Sequence, residues 1–297
     1  MCLPLVAWGQ QITPVAAGVY ASIADLGDVT PANRGEVGNL GFVVGDTGVL
    51  AIDAGVSYRH GEAFMKSIAA TTPLPVVLVV LTDPIQEFHF GAAPFQDRGV
   101  PILAHREAAA LIAQRCATCL QRLRVTLGEA EMARSRVVVP DRLIDETTSL
   151  KVGGRELELL YFGRTAAPGN LAVLDRRSGV LFAGGLVSVD RIPRLRDGDL
   201  DAWIGALERL DAVGATVIVP GHGPVCTPAQ ARRTLDYLLA LRSTVETLYR
   251  RGVGLGEARK SAELAEFRDW SLYATLHPEN VQELYLRLER ADLEGPR

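Results

Sequence analysis

The sequence predicts a mixed α/β (α+β) fold in which two layers of β-sheet are flanked by helices. Short apolar runs of strand length alternate with helical patterns in the first half of the chain, and the same alternation recurs in the second half. The 29 Gly and 16 Pro residues supply the tight turns that many short strands need. Stacked layers of this kind bury one face of each sheet against helices. We therefore expect functional groups on loops at strand ends.

The predicted elements of the first half follow from apolar runs and their spacing. Gly45-Asp46-Thr47-Gly48 indicates a hairpin turn between two short strands. The unbroken apolar run 75–81 is typical of a strand buried on both faces. Strands are predicted at 15–23, 40–44, 49–52, 75–81 and 101–104, and helices at 59–70, 91–98 and 106–124.

The second half repeats the pattern and then becomes helical. Thr227 is a predicted N-cap, and Pro228 follows at the first helical position of a long helix that reaches about residue 251. The chain beyond Leu255 has amphipathic helical spacing. Strands are predicted at 156–162, 171–174, 180–183 and 216–219, with a further helix at 199–210.

Composition excludes some classes of partner. The 297 residues fit one large domain or a domain with an appendage, and the formal net charge is -4 with a pI near 5.8. We expect no nucleic-acid partner because no basic stripe is present. A run of 18 or more apolar residues is absent, so no membrane span is predicted. The sequence does not predict an oligomeric state.

The first nine residues carry a possible export signal. The stretch from Met1 to Ala7 is mostly apolar, and Ala7-Trp8-Gly9 resembles a small-x-small cleavage site. A charged region before the apolar stretch is missing, however. We therefore expect 1–9 to be either a disordered terminus or the remnant of a signal peptide.

The four cysteines, Cys2, Cys116, Cys119 and Cys226, are too few for a disulfide scaffold. Cys116-Ala117-Thr118-Cys119 forms a C-x-x-C motif inside a predicted helix, unlike a thioredoxin-type motif between a strand and a helix. We expect two packed thiols. A disulfide, or a metal clip that also uses Cys226, stays open.

Several fragments, in order, resemble the metallo-β-lactamase-fold hydrolases. The segments 38–45 (GNLGFVVG) and 49–55 (VLAIDAG) resemble the opening of those proteins. The segment 181–185 (LFAGG) resembles the strand that carries their bridging Asp, and 219–224 (VPGHGP) resembles their last metal motif. The resemblance implies a four-layer αββα sandwich over 10–227, with a helical segment, 228–297, packed on it.

One subgroup, the quinoprotein relay system zinc metallohydrolases, resembles the chain more closely. The resembling fragments are Asn33-Arg34-Gly35, Arg191-Ile192-Pro193, Trp270-Ser271-Leu272-Tyr273, His277 and Asn280. This resemblance implies a periplasmic or exported protein, with a cytoplasmic location as the alternative. It also implies partners among periplasmic quinoprotein-system proteins.

The resemblance places the metal ligands of the superfamily at positions where this chain departs from them. Thr82 and Gly91 match the ends of the T-H-x-H-x-D-H-x-x-G signature. Between them stand Asp83, Ile85, Glu87 and Phe88 in place of His, His, Asp and His. His89 lies one residue late, so we expect its side chain to point away from that of Phe88. The third-motif His aligns with Ala166 and the bridging Asp with Gly185, and among these positions only His222 keeps the ligand type.

These replacements predict a degenerate metal site. A catalytic zinc ion takes about three protein ligands and a water, so we expect no cofactor. The alternative is a rebuilt single-metal site in which zinc is held by Asp83, Glu87 and His222. Without a metal, two neighbouring carboxylates would repel each other and the pKa of one would rise.

The family metal position is then predicted to be a small-molecule cleft. Ile85, Phe88, Ala166 and Gly185 would build it, and Asp83, Glu87, Arg164 and His222 would rim it, with His89 nearby. Arg164 would replace the ion as a fixed cation, within salt-bridge reach of Asp83 or Glu87. Asp53, at a strand end, would shape the adjacent loop.

The remaining histidines and motifs do not indicate an enzyme. His60 and His105 each open a predicted helix, which favours capping or surface roles. The sequence has no G-x-S-x-G, G-x-x-x-x-G-K-[ST] or H-E-x-x-H motif. We therefore expect a non-catalytic protein that binds a small molecule or a partner. The alternative is an active hydrolase with the rebuilt site.

Overall fold

The computed structural model describes residues 11–294. The predicted signal-peptide remnant or disordered terminus at 1–9, and Cys2 within it, lie outside the described residues. Two mixed sheets form the centre of the molecule.

The first sheet has seven strands whose order in space follows their order in the chain. Strands β1 to β4 pair antiparallel, and β4 to β7 pair parallel. They are β1 (Ile12–Ala16), β2 (Val19–Ser22), β3 (Leu40–Val44), β4 (Val49–Ile52), β5 (Val76–Val80), β6 (Ile102–His105) and β7 (Arg142–Ile144).

The second sheet has five strands in the order β12-β11-β10-β9-β8. Only β11 and β12 pair in parallel within it; the other neighbours are antiparallel. The strands are β8 (Thr148–Val152), β9 (Arg155–Tyr161), β10 (Leu171–Asp175), β11 (Val180–Ser188) and β12 (Val217–His222).

Helices cover the outer face of each sheet. Against the first sheet lie α1 (Tyr58–Thr71), α3 (Ala93–Gln96) and α4 (Arg106–Leu127), and the short helix α2 (Gln86–His89) in the loop after β5 contacts α4. Against the second lie α5 (Leu200–Glu208), α6 (Pro228–Arg250), α7 (Leu255–Ser261) and α8 (Tyr273–Glu294). No helix within 11–294 is long and apolar enough to cross a membrane.

Three apolar cores separate the layers. One joins the inner faces of the two sheets, with Val43 and Leu50 from the first and Val173 and Phe182 from the second. The other two lie between each sheet and its helices. The predicted four-layer αββα sandwich is therefore confirmed. Helices α6, α7 and α8 share a single core with β11 and β12.

The strands that carry the expected site lie where the sequence predicts them, but several others differ. The predicted strand 15–23 is a hairpin, because Gly18 adopts φ 72° and the chain reverses between β1 and β2. The predicted helix 91–98 begins earlier, at Gln86, and includes a 3₁₀ turn at Phe90–Ala92. Strand β11 extends five residues beyond the predicted end, to Ser188.

Candidate functional site

The loop that follows β5 is held at its first residue by Asp53. The Asp53 carboxylate accepts hydrogen bonds from the backbone amide of Thr82 at 2.8 Å and from its hydroxyl at 2.6 Å. Asp53 itself adopts φ 58°, just after β4. Burial raises its pKa to about 7, although the two hydrogen bonds from Thr82 act in the opposite direction. Asp53 therefore fixes the first residue of this loop by hydrogen bonds, and it does not line the cavity described below.

Asp83 is turned inward and bonded to protein groups. Its Oδ1 accepts from the Ile85 amide at 3.0 Å, and its Oδ2 lies 3.2 Å from the Asn170 side-chain nitrogen. It is 1% exposed, and burial raises its pKa well above the ordinary value; the charge of Glu87 adds to this. A Cβ placed on Gly185 would lie 2.2 Å from Asp83 Oδ2. The Asp83 carboxyl therefore occupies the space beside Gly185, the position at which the resemblance places the family's bridging Asp.

Glu87 and His222 form a hydrogen-bonded pair. His222 Nε2 lies 3.3 Å from Glu87 Oε1, and both side chains are largely buried. Burial, together with the charge of Arg191, lowers the pKa of His222 to about 4. Burial alone would raise the pKa of Glu87, but the hydrogen bond from His222 and the charges of His222 and Arg191 together outweigh it, and the net change is downward. At neutral pH the ionised Glu87 carboxylate therefore accepts a hydrogen bond from the Nε2–H of a neutral His222 imidazole.

Phe88 places an aromatic ring where the family resemblance predicts a metal-binding histidine. The ring packs edge-on against His222 with centroids 5.4 Å apart and is 1% exposed. A Cβ on Gly38 would lie 2.7 Å from the same ring, so the glycine makes room for it. The apolar ring, and not a ligand nitrogen, therefore occupies this part of the site.

Seven of the predicted site residues line one small cavity of about 50 Å³, which we call the metal-position cavity. That volume holds roughly one to three waters rather than an organic molecule. The seven residues are Asp83, Ile85, Glu87, Phe88, Ala166, Gly185 and His222.

Besides Asp53, two predicted site residues lie outside this cavity. Arg164 is largely exposed and its closest acidic partner is Glu107, at 3.9 Å, so the prediction that it pairs with Asp83 or Glu87 is wrong. The loop that carries it turns the guanidinium outward. His89 faces α4, where its Nε2 lies 3.2 Å from the Cys116 sulfur. It points away from Phe88, as expected, and does not line the metal-position cavity.

The sequence did not single out Arg191 as a functional residue. Its side chain lies on the wall shared by the metal-position cavity and a larger neighbouring pocket. The residue is 6% exposed, and its Nε and Nη1 have no hydrogen-bond partner. The only sequence signal was the fragment Arg191-Ile192-Pro193 in the subgroup resemblance, which carries no information about burial.

The larger pocket, called here the arginine pocket, has a volume of about 230 Å³. Asp28, Glu87, Asp197 and the thiol-bearing Cys116 and Cys119 also belong to its wall. Five arginines line it: Arg115, Arg122, Arg191, Arg194 and Arg196. Cations therefore outnumber carboxylates on the wall.

The residues at the metal position do not fit a catalytic zinc ion. Across residues 11–294, no three His, Cys, Asp or Glu side chains are grouped so that they could hold a metal. Asp83 is directed at Asn170 and Ile85, so only Glu87 and His222 face each other. Structural and catalytic zinc sites use about three or four protein ligands. A pair of ligands falls short of that number.

Comparison with known structures identifies the architecture. A metallo-β-lactamase from Pontibacter korlensis superposes with a TM-score of 0.63 at 24% identity, covering 77% of this chain and 98% of that one. The metallo-β-lactamase IND-7 superposes with a TM-score of 0.61 at 19% identity, covering 77% and 97%. The chain has the metallo-β-lactamase fold. Residues 90–222 also match the family model described as the metallo-beta-lactamase superfamily.

Two curated proteins with related sequences come from Nocardioides sp. (strain JS1661). The 2,4-dinitroanisole O-demethylase subunit alpha is 28% identical over 185 residues, which are 61% of this chain and 51% of the relative. The subunit beta of the same enzyme is 27% identical over 197 residues, which are 66% of this chain and 57% of the relative. The chain thus spans about half the length of the curated relatives that it matches.

Proposed function

We propose that this chain is a non-hydrolytic protein of the metallo-β-lactamase fold that binds a small ligand in the arginine pocket. The observation that carries this proposal is the content of the metal-position cavity. The Phe88 ring stands in place of a ligand histidine, and Glu87 is hydrogen-bonded to His222. The hydroxide that a metal would generate has no source in such a cavity.

The arginine pocket is the better candidate for ligand binding because it is larger than the metal-position cavity and lies next to it. Its volume of about 230 Å³ suits a small molecule, whereas the metal-position cavity is about 50 Å³. Glu87 and Arg191 line both cavities. A ligand in the arginine pocket would therefore contact the remains of the metal site.

The partner is proposed from the names of the relatives and from the subgroup resemblance. Both relatives are subunits of one enzyme, which supports a second chain of the same fold as the partner. The quinoprotein relay system, with its periplasmic location, is the alternative source of a partner. The backbone bridge between Arg191 and Ser271 brings two of the subgroup fragments side by side. Affinity purification of the tagged chain from its own host would contradict both sources if it recovered neither kind of protein.

Metal analysis tests the loss of hydrolytic function. We expect protein purified without chelator to contain no stoichiometric zinc, iron or manganese, because two facing ligands are too few to retain the ion. The wild type and His222→Ala should then give the same result in elemental analysis. His105→Gln serves as the matched control, since His105 caps α4 away from the site.

The opposite result would support the rebuilt hydrolase. One equivalent of metal in the wild type and in His105→Gln, lost in His222→Ala, would mean that Asp83 swings from Asn170 toward Glu87 and His222. Non-catalytic ligand binding would then be abandoned, and Asp83→Asn and Glu87→Gln would be the next variants to assay for hydrolysis.

A further inference from the structure

We propose that Arg191 forms the oxyanion-binding subsite of the arginine pocket and that the ligand carries a carboxylate or phosphate group. This inference rests on the proposed function, because it names the chemical class of the ligand in the same pocket. The observation behind it is that the buried guanidinium of Arg191 forms no ion pair with a protein group in the described part of the chain.

Arg191 is a cation without a counter-ion among the described residues. No carboxylate lies within 4.0 Å of its guanidinium in residues 11–294, although other arginines of this range, such as Arg115 and Arg194, form ion pairs. Its Nε and Nη1 donate to nothing, and the residue is 6% exposed. A buried charge without hydrogen bonds is energetically unfavourable, so such charges are rare in proteins and usually serve a function. Arginine does not escape this cost by losing its proton.

The surrounding charges leave Arg191 available to a ligand. Glu87, the acidic group with the largest influence on it, is already hydrogen-bonded to His222. Asp28 and Asp25 act on it only from a distance, and the nearby Arg194 repels it. An incoming oxyanion would therefore satisfy donors that the protein leaves unpaired.

The neighbouring cations are partly engaged already. Arg194 pairs with Glu279 at 3.2 Å, and Arg115 pairs with Asp197 at 3.0 Å. Both of these arginines are substantially exposed. Exposed ion pairs contribute little to stability, so these pairs leave Arg115 and Arg194 able to attract an anion. In the proposed subsite these two arginines draw the anion to the pocket, and Arg191 binds it.

The backbone that carries Arg191 is fixed before any ligand arrives. The Arg191 carbonyl accepts from the Ser188 hydroxyl at 2.8 Å, and the Ile192 amide donates to the Ser271 carbonyl at 3.0 Å. Further along, Asn280 of α8 accepts from the Leu195 amide at 2.9 Å. A preorganised cation loses less conformational freedom on binding, which favours a specific site over a casual surface contact.

Calorimetric titration of the full chain, treated with EDTA, tests the subsite. The probes are benzoate and inorganic phosphate, and benzamide is the neutral match for benzoate. We expect at least one anion to bind and benzamide not to bind. Arg191→Met should weaken the anion by about 30-fold or more, the usual consequence of removing one partner of a buried charged hydrogen bond. Arg191→Lys should retain part of the affinity, and the exposed Arg259→Met should behave as the wild type.

Melting temperature separates a binding role from a structural one. A guanidinium kept for a ligand makes the empty protein less stable, so Arg191→Met without ligand should melt at or above the wild-type temperature. The anion should raise the melting temperature of the wild type and not that of Arg191→Met. A strongly lowered melting temperature of ligand-free Arg191→Met would assign the cation to the fold and overturn the proposal.

The remaining outcomes distinguish this subsite from the proposed function. Equal binding of benzoate and benzamide, unchanged by Arg191→Met, would overturn the oxyanion subsite and leave ligand binding intact. Failure of both anions to bind at millimolar concentration would also overturn it. Stoichiometric metal in the untreated protein would instead count against the non-hydrolytic function, whatever the titrations show.

Discussion

The two thiols of the C-x-x-C motif differ sharply, although they lie one helical turn apart on α4. Cys116 is buried against His89, whereas Cys119 is half-exposed on the wall of the arginine pocket. A hydrogen bond from Cys116 lowers the pKa of Cys119 to about 6; burial opposes this and Arg122 assists it. The same hydrogen bond, together with burial, raises the pKa of Cys116. The predicted packing of two thiols thus describes Cys116 better than Cys119.

Alkylation tests this difference. We expect iodoacetamide at pH 7 to modify Cys119 first, because the thiolate is the reacting form and its pKa lies below that pH. Burial raises the pKa of Cys226 to about 12, and the pKa of buried Cys116 is raised as well, so both of these thiols should react after Cys119. Peptide mass spectrometry over time measures the order, and Cys119→Ser is the control. Modification of Cys226 before Cys119 would contradict the assignment.

At the residue scale the family resemblance predicted which positions lack a metal ligand, but it did not predict the surroundings of those positions. Thr82 and Gly91, which match the two ends of the signature, fix the alignment of the residues between them. Asp83, Glu87 and Phe88 could therefore be assigned to signature positions from the sequence. The direction of a loop side chain depends on tertiary packing, and this is why Arg164 was wrongly placed. Arg191 was missed for a related reason, since its burial comes from contacts that residues 271–280 make with its loop.

At the element scale, the packing of α1 against the site loop depends on two glycines. A Cβ on Gly61 would lie 2.0 Å from the Gly91 carbonyl oxygen, and a Cβ on Gly91 would lie 1.9 Å from that of Ala54. The Gly91 amide also donates to the Gly55 carbonyl at 2.8 Å. The end of the signature loop therefore lies directly on α1, with no side chain between the two backbones.

Substitution of Gly61 tests this contact. We expect Gly61→Ala to lower the free energy of unfolding by about 1–3 kcal/mol, because backbone must move to admit the methyl group. Alanine by itself favours a helix, so the loss opposes the intrinsic preference. Gly256→Ala in α7 is the matched control, since a Cβ there meets nothing within 4 Å. Urea unfolding measures both, and an unchanged Gly61→Ala would rule out the close contact.

Elements were predicted from the sequence where their pattern was local. Strands β3 and β4 were predicted with their observed bounds, and the N-cap of α6 at Thr227 is present with a capping box to Gln230. The hairpin of β1 and β2 was missed because Val15 to Ile23 is nearly continuous in apolar character. Strands β7 and β8 escaped prediction because both are short and include exposed polar residues.

At the scale of the whole molecule, buried titratable groups link stability to pH. Burial lowers the pKa of His60 to about 3, from 6.5, and its Nδ1 accepts from the Val56 amide at 3.2 Å. The unfolded chain therefore binds the proton more readily than the folded one between pH 6.5 and 3. This contribution to stability is present above pH 6.5 and is lost as the pH falls through that window. Asp53, with its raised pKa, changes stability in the opposite direction over part of the same range.

The variant His60→Asn removes the contribution of His60 to the pH dependence of stability. An Asn oxygen can still accept from the Val56 amide, but it does not titrate. We expect the wild type to lose about 2 kcal/mol more than the variant between pH 7 and pH 5, which is 1.4 kcal/mol for each pH unit below 6.5. Urea unfolding at both pH values gives the difference. Between pH 7 and 8 the two proteins should change in parallel, and equal slopes down to pH 5 would refute a neutral buried His60.

The order of layers was the most predictable property of the whole molecule, because strand and helix patterns alternate clearly along the chain. The pairing of β11 with β12 in parallel, and of the two sheets face to face, brought His222 to the loop after β5 across more than 130 residues. No spacing in the sequence encodes such a distance. The family resemblance predicted this proximity, whereas the chemistry of the cavity followed only from the structure.

Helix α8 holds the segment that follows Arg191 from behind. Asn280 donates to the Pro193 carbonyl at 2.7 Å, and Arg287 donates to the carbonyls of Leu195 and Gly198. These hydrogen bonds join α8 to the loop that carries Arg191, so a ligand that orders the loop is expected to stabilise α8 as well. Loss of the α8 contacts is expected, in turn, to weaken the binding of that ligand.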